Sequence, residues 1–278
     1  MRDDECVELL QRILPVLKLR WAGFRRVRRQ VCRNLARRMR DLGFASADDY
    51  WQYLTAHPDE WEVADSLCTV TISRFYRDKS VCGYLGRTVL PELGTRAVNA
   101  CRTELLAWSA GCGSGEEPYT LALVWLFQVS HQLAGVKLKI VGTDIDDRLL
   151  RRAHEASYPS GCLKDLPNQW RIAAFDKAGA GYRLKARYRE HVSFRQHDIR
   201  GEPINGPFDL VLCRNLAFTY FDHDLQLATA RRLCDALREG GALVLGRHEV
   251  LPVDATGFAT WSATHRVYRK LNAAIGES

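Results

Sequence analysis

Apolar residues recur at helical spacing along the first eighty positions and nowhere there alternate as a strand would. Val7, Leu9, Leu10, Ile13, Leu14 and Leu17 mark one helix face, and Val27, Val31, Leu35 and Met39 mark another. Gly43 stands where a helix end favours a left-handed residue. Ser46 is placed to cap the segment ADDYWQYL, whose first turn sets Asp48 and Asp49 against the positive end of the helix dipole. A further helix is expected over Pro58 to Leu67. From about residue 103 the pattern changes. Short apolar runs over Glu104–Ser109, Lys137–Thr143, Val192–Gln196, Asp209–Cys213, Gly241–Leu245 and Ala263–Leu271 read as strands. Helices are expected over 116–131, after Asp144, and over 223–238. Strands that alternate with helices imply an α/β fold, a mostly parallel, Rossmann-like doubly wound sheet, here preceded by an all-α domain. The expected division is 1–80 for the helical domain and 81–278 for the α/β domain. The stretch 178–190, with Gly179, Gly181 and alternating Tyr182, Leu184 and Tyr188, reads as a small β-insert or a connecting loop.

Charge changes the picture of the helical part. The chain of 278 residues has a formal net charge of +7, and nine arginines fall between Arg20 and Arg40 with no acid among them. Such a surface suits nucleic acid, an acidic protein helix or an anionic membrane face. No apolar run approaches the ~20 residues of a membrane span. The N-terminal MRDDECVELLQ is acidic where a signal peptide is basic, so the protein is expected to be cytoplasmic. Nine cysteines, odd in number and scattered, argue against a disulfide framework, and the absence of any C-x-x-C argues against zinc. Cys32, Cys68, Cys213 and Cys234 sit in apolar surroundings and are expected to be small buried hydrophobes.

The candidate chemistry centres on Gly111, Gly113 and Gly115, between the first strand and its helix. Glycines allow a tight turn and a close backbone approach to a ligand. In a dinucleotide site a pyrophosphate would rest on the helix N-terminus that follows. Here that N-terminus begins with Glu116 and Glu117, which repel a pyrophosphate and favour a cation. The sulfonium and amino group of S-adenosylmethionine meet that requirement. Asp144 ends the second strand, where Rossmann-like sites hold ribose hydroxyls. Asp198 follows the third and is placed for an adenine amino group.

These residues resemble the CheR-type chemotaxis receptor methyltransferases. Ser109-Ala-Gly-Cys-Gly-Ser-Gly-Glu-Glu-Pro-Tyr-Thr120 is similar to S-A-G-C-S-T-G-E-E-P-Y-S, and Phe208-Asp-Leu-Val-Leu-Cys-Arg-Asn215 to F-D-x-I-F-C-R-N. Thr143-Asp-Ile-Asp146, Phe75-Tyr-Arg-Asp78 and Gly246-Arg-His-Glu249 also have counterparts in the family. The resemblance implies a protein-glutamate O-methyltransferase, its helical domain facing the substrate. It implies that Arg77 orients the accepting carboxylate near the transferred methyl and that Tyr220 is the tyrosine beside it. Thr71, Ser73, Arg77, Glu117, Asp144, Ile145, Asp198, Ile199, Arg214 and Asn215 would line the cofactor pocket. Three positions depart from the family pattern: Thr71 replaces an asparagine, one extra residue precedes Tyr220, and the serine of G-H-S-E is absent from Arg247-His248-Glu249.

A carboxylate acceptor is ionised at neutral pH and needs alignment rather than a general base. No side chain is clearly placed as a base, although His248 and Glu249 are candidates. The basic segment 20–40 is expected to meet an acidic protein substrate. A small-molecule acid is the alternative acceptor, and a cofactor-binding regulator without catalysis is a reading of another class. RNA is disfavoured, because the Asn-Pro-Pro-Tyr type of motif is absent and only Trp21 and Phe24 interleave with the arginines.

Overall fold

The computed structural model describes residues 2–71, 73–201 and 204–272. The chain separates into two compact units, one formed by Met1–Ile72 with Ala217–Gln226, the other by Ser73–Leu216 with Leu227–Ser278.

The first unit is helical. Its elements are α1 (Asp3–Val16), α2 (Trp21–Phe24), α3 (Arg28–Asp41), α4 (Ala47–Ala56) and α5 (Glu60–Leu67). Cys6, Leu9, Leu10, Ile13 and Leu14 of α1 are buried, as are Val31, Leu35 and Met39 of α3. Gly43 takes the left-handed φ of +80° just beyond α3. The Ser46 side chain accepts a hydrogen bond from the Asp49 N–H at 3.1 Å, so the cap on α4 forms as its sequence suggests. The arginine-rich segment divides by role. Arg28 pairs with Asp3 and Arg38 with Glu60, while Arg25, Arg26, Arg29, Arg33, Arg37 and Arg40 are exposed.

One cysteine expectation is overturned. Cys32 is joined to Cys6 in a disulfide between α1 and α3, with 26 residues of separation. The two helices pack side by side, a tertiary proximity that cysteine spacing does not encode. Cys68 and Cys213 are buried thiols as expected, and Cys234 is half-buried.

Helix α6 (Lys79–Tyr84), a wider π turn and α7 (Leu90–Asn99) lead into the sheet of the second unit. Its strands are β1 (Glu104–Ala110), β2 (Lys137–Asp144), β6 (Val192–Gln196), β7 (Phe208–Cys213), β8 (Leu237–Leu245), β9 (Phe258–Ser262) and β10 (Val267–Lys270). Their order is β6-β2-β1-β7-β8-β10-β9. The first five run parallel; at the edge β10 pairs antiparallel with β8, and β9 pairs antiparallel with β10. Helices α8 (Glu116–Val124), α9 (Asp147–Glu155) and α13 (His223–Ala236) follow β1, β2 and β7, with α12 (Ala217–Tyr220) between β7 and α13.

Two boundaries differ from the sequence reading. The helix expected over 116–131 is α-helical only to Val124, then continues as a π turn and a 3₁₀ turn. The last strand expected over 263–271 is confined to β10, and its partner β9 was unanticipated. Strand β9 has no fully buried residue, so it carries no apolar run to betray it.

A second, three-stranded sheet orders β3 (Ser157–Pro159), β5 (Gly181–Leu184) and β4 (Phe175–Ala178) antiparallel. It begins earlier than the stretch 178–190, whose latter part holds the short helix α11 (Ala186–Arg189). Helix α10 (Asn168–Ala174) precedes its hairpin.

Candidate functional site

The parallel strands deliver their C-terminal ends to one edge of the sheet, and most of the expected site residues of the second unit collect there. After β1 the backbone takes left-handed φ at Gly111 (+69°), Gly113 (+57°) and Gly115 (+89°). Only glycine adopts such values in succession without strain. A Cβ on Gly111 would approach Leu216 Cδ2 to 2.5 Å, so a side chain there would have to displace that leucine as well as adopt the left-handed φ.

Asp144 holds this turn from below. Its Oδ2 accepts the Gly113 N–H at 2.8 Å and its Oδ1 accepts the Asp146 N–H at 3.0 Å. Burial pushes the Asp144 carboxyl above its ordinary range, against the pull of those two backbone donors. His197 N–H donates to the Asp144 carbonyl at 3.1 Å, which brings Asp198 and Ile199 beside the end of β2. The Asp198 carboxylate is held by Arg200, through its backbone N–H at 2.8 Å and its guanidinium. Ile199 is buried, whereas Ile145 is exposed.

The two glutamates at the start of α8 have separate fates. Glu117 accepts from Ser109 Oγ at 2.8 Å and from Arg214 Nη1 at 3.0 Å. The other Arg214 nitrogen, Nη2, donates to Asp78 Oδ2 at 2.5 Å. Burial works against the charge on Arg214, but Glu117, Cys82 and Asp78 outweigh it and leave its pKa raised. Glu116 is buried elsewhere, hydrogen-bonded to Ser73, and its Oε2 has no partner. Burial raises its pKa. The sequence treats the pair as one acidic patch, while the fold uses them differently.

Arg77 lies between two fixed neighbours. Tyr76 (φ +56°) and Asp78 (φ +60°) both occupy the left-handed region, where a non-glycine residue is costly and marks a segment held by its surroundings. The Tyr76 N–H donates to Thr120 Oγ1 at 3.0 Å, and its ring packs edge-on against Trp170. Asp78 is tied to Arg214. Asn215 is likewise left-handed, with φ +55°. Its N–H and those of Leu216 and Gly246 all donate to the Glu249 carboxylate, at 2.7, 3.1 and 2.6 Å. Glu249, a candidate base by sequence, is therefore a buried clamp on the loop after β7, and His248 is exposed.

Thr71 and Tyr220 belong to the first unit. Tyr220, on α12, packs its ring 4.9 Å from Phe24 of α2. A Cβ on Gly23 would meet the Thr219 carbonyl oxygen at 2.3 Å, so that glycine permits α2 and α12 to touch. Sequence reasoning missed Asp78 as the second acid on Arg214, the Ser109–Glu117 bond and the Glu249 clamp. The nearest signal for Asp78 is its place directly after Arg77.

With this geometry in view, residues 71–267 match the CheR methyltransferase SAM-binding domain and residues 27–64 the CheR methyltransferase all-alpha domain. The chain belongs to the CheR methyltransferase family. The chemotaxis protein methyltransferase of Listeria innocua is 34% identical over 197 residues, 70% of this chain and 71% of that protein. That of Borreliella burgdorferi is 29% identical over 215 residues, 75% of each. That of Escherichia coli is 27% identical over 231 residues, 80% of this chain and 76% of its own. This CheR-family protein is thus an S-adenosylmethionine-dependent methyltransferase. Its residues fit that cofactor. The glycine turn admits close backbone approach, and two carboxylates, Asp78 and Glu117, face one guanidinium, Arg214. The cluster carries one formal negative charge in surplus, which suits a cationic ligand. No helix of the described residues is long and apolar enough to cross a membrane.

Proposed function

We propose that this CheR-family enzyme transfers its methyl group to a carboxylate oxygen, the side chain of a protein glutamate, and that the acceptor is the acidic helical surface of a chemoreceptor. The observation that carries this reading is Arg77, held between the anchored Tyr76 and Asp78. The names of its relatives as chemotaxis protein methyltransferases support the acceptor class. The exposed arginines of α2–α3 supply a surface complementary to acid.

When bound, S-adenosylmethionine supplies an electrophilic methyl on a sulfonium. Glu117 would hold its amino group, Asp144 its ribose, and Asp198, Ile199, Arg214 and Asn215 the remainder, with Ser73, Ile145 and the glycines Gly111, Gly113 and Gly115 lining the pocket. Thr71 and Tyr220, both of the first unit, are assigned by family position alone. Arg77 would grip one oxygen of the incoming carboxylate by a charge-assisted hydrogen bond and leave the other to attack. A carboxylate with an ordinary pKa of about 4.3 arrives ionised, so no base is required. That agrees with a clamp role for Glu249.

The test is methyl incorporation from labelled cofactor into a receptor cytoplasmic fragment, read as base-labile ester. Arg77→Ala should abolish incorporation while calorimetric affinity for S-adenosylhomocysteine falls far less than in Asp144→Ala. Equal loss of affinity in both variants would remove the carboxylate-orienting role. Label in RNA or in a base-stable linkage would remove the acceptor class.

A further inference from the structure

At the opposite edge of the same sheet, where β1, β7 and β8 begin, lies a cavity of about 410 Å³ that the methyl-transfer reading leaves unused. Strand β8 makes its wall. Phe208 pairs with Leu237, but Leu210 pairs with Ala242, so Arg238, Glu239, Gly240 and Gly241 bulge out opposite the single residue Asp209. Bulges of this kind re-aim side chains at functional places. Three arginines from three elements line the space: Arg96 of α7, Arg102 before β1, and Arg238 in the bulge.

They outnumber the two carboxylates of the lining, Asp209 and Glu239. Asp209 is saturated by Arg102, which reaches it through both guanidinium nitrogens at 3.0 and 2.7 Å, and by the Leu106 N–H at 2.9 Å. Arg238 is ion-paired with the same carboxylate and its side chain is 35% exposed, but its Nε, at 3.6 Å, is too far for a hydrogen bond and is itself buried with no hydrogen-bond acceptor. A buried N–H without an acceptor costs free energy unless a ligand or water supplies one. Arg96 is fixed by a 3.1 Å bond to the Glu239 carbonyl. Gly240, at φ +67°, makes way for it, since a Cβ there would fall 2.0 Å from Arg96 Nη2. The double glycine thus seats a guanidinium as well as turning the chain.

We propose that this cavity binds the phosphate group of a phosphorylated small molecule, with Arg238 and Arg96 as its principal donors and Arg102 held ready by Asp209. Planar guanidinium forks match phosphate oxygens, and the volume lies within the range of small-ligand sites. Strands of this length set the cavity about 20 Å from the glycine turn, so it is a second site and not an extension of the first.

The full chain, saturated with S-adenosylhomocysteine to block the cofactor pocket, is titrated calorimetrically with inorganic phosphate, adenosine monophosphate, guanosine monophosphate and adenosine. Saturable binding of the phosphorylated probes and none of adenosine is expected. Arg238→Gln and the exposed Arg96→Gln should each weaken binding by roughly tenfold or more, the loss of one charge-assisted bond, with affinity for S-adenosylhomocysteine unchanged. A nucleotide that binds tighter than inorganic phosphate identifies an organic phosphate as the ligand, and equal affinities identify free phosphate. No saturable binding at millimolar concentration, or binding unchanged in both variants, would overturn the proposal.

Discussion

Two arginine–carboxylate clusters, one in each unit, solve the same physical problem to different ends. In the helical unit Arg38 donates twice to Glu60, at 2.9 and 2.6 Å, and Tyr50 donates a third bond to the same carboxylate at 2.9 Å. One cation meets one anion, the Glu60 oxygens are bonded, and the cluster is closed. In the α/β unit Arg214 is shared by Glu117 and Asp78, so one cation meets two anions and negative charge remains. The first arrangement joins α3 to α5 and is complete without a ligand. The second holds surplus negative charge beside a glycine turn, which the proposed cationic ligand would complete. Buried ion pairs are weak evidence for stability in themselves. What separates the closed cluster from the proposed binding cluster is stoichiometry.

The largest test of that contrast is Arg214→Met. Removal of the shared cation strands two partly buried carboxylates, and the expected cost is about 3–5 kcal/mol of stability. Affinity for S-adenosylhomocysteine should collapse with it, because Glu117 and Asp78 would no longer be held in place. Denaturant melts and calorimetry check both quantities. Stability lost with affinity intact would make the α/β cluster as purely structural as the helical one.

The sequence exposed the local half of this architecture and hid the remote half. The β1–turn–α8 segment and the cap on α4 are legible because glycine and serine act on neighbours in the chain, and Asp144 is legible by its place at the end of β2 although it bonds Gly113, 31 positions away. Arg77 became visible through its family motif. The partnership of Arg214 with Asp78 spans 136 positions, and the clamp of Glu249 on Asn215 spans 34. No local periodicity carries such pairs. The Cys6–Cys32 bond was missed for the same reason, and scattered spacing misled where helix packing decides. Strand β9 eluded the hydrophobic pattern because an edge strand with no fully buried residue has none to show. Glu116 and Glu117 are adjacent in sequence and alike in chemistry, yet only the surrounding side chains distinguish one from the other.

The next test belongs to the closed cluster. Glu60→Ala leaves Arg38 and Tyr50 without their acceptor, and the expected loss is about 3 kcal/mol. Affinity for S-adenosylhomocysteine should stay within a factor of about two, less than 0.5 kcal/mol. The hydrogen bond from Arg38 lowers the Glu60 pKa below 4.5, against the opposing effect of burial. The stabilisation is therefore present above that value and lost as pH falls through the folded-state pKa. The stability gap between the wild type and Glu60→Ala should close on acidification. A gap constant with pH would mean that packing, and not charge, accounts for it.

The smallest expected effect has the opposite sign and separates the two units most sharply. Burial raises the Glu116 pKa above 4.5, and its Oε2 has no hydrogen-bond partner. The folded protein thus binds a proton at Glu116 more readily than the unfolded chain does. That contribution to stability is complete below pH 4.5 and is lost as pH rises through the folded-state pKa. Glu116→Gln keeps the size of the side chain and removes its titration. Relative to the wild type, the variant should gain stability as pH rises from 4 to 8, by on the order of 1 kcal/mol or less. Urea melts across that interval read the slope directly. Glu60 and Glu116 would then oppose each other in the same pH series, the one favoured as an anion by its ion cluster and the other shifted toward its protonated form by burial. A Glu116→Gln difference that shrinks with rising pH would mean that the buried carboxylate is favoured as an anion, and the distinction between Glu116 and the clustered Glu117 would fail.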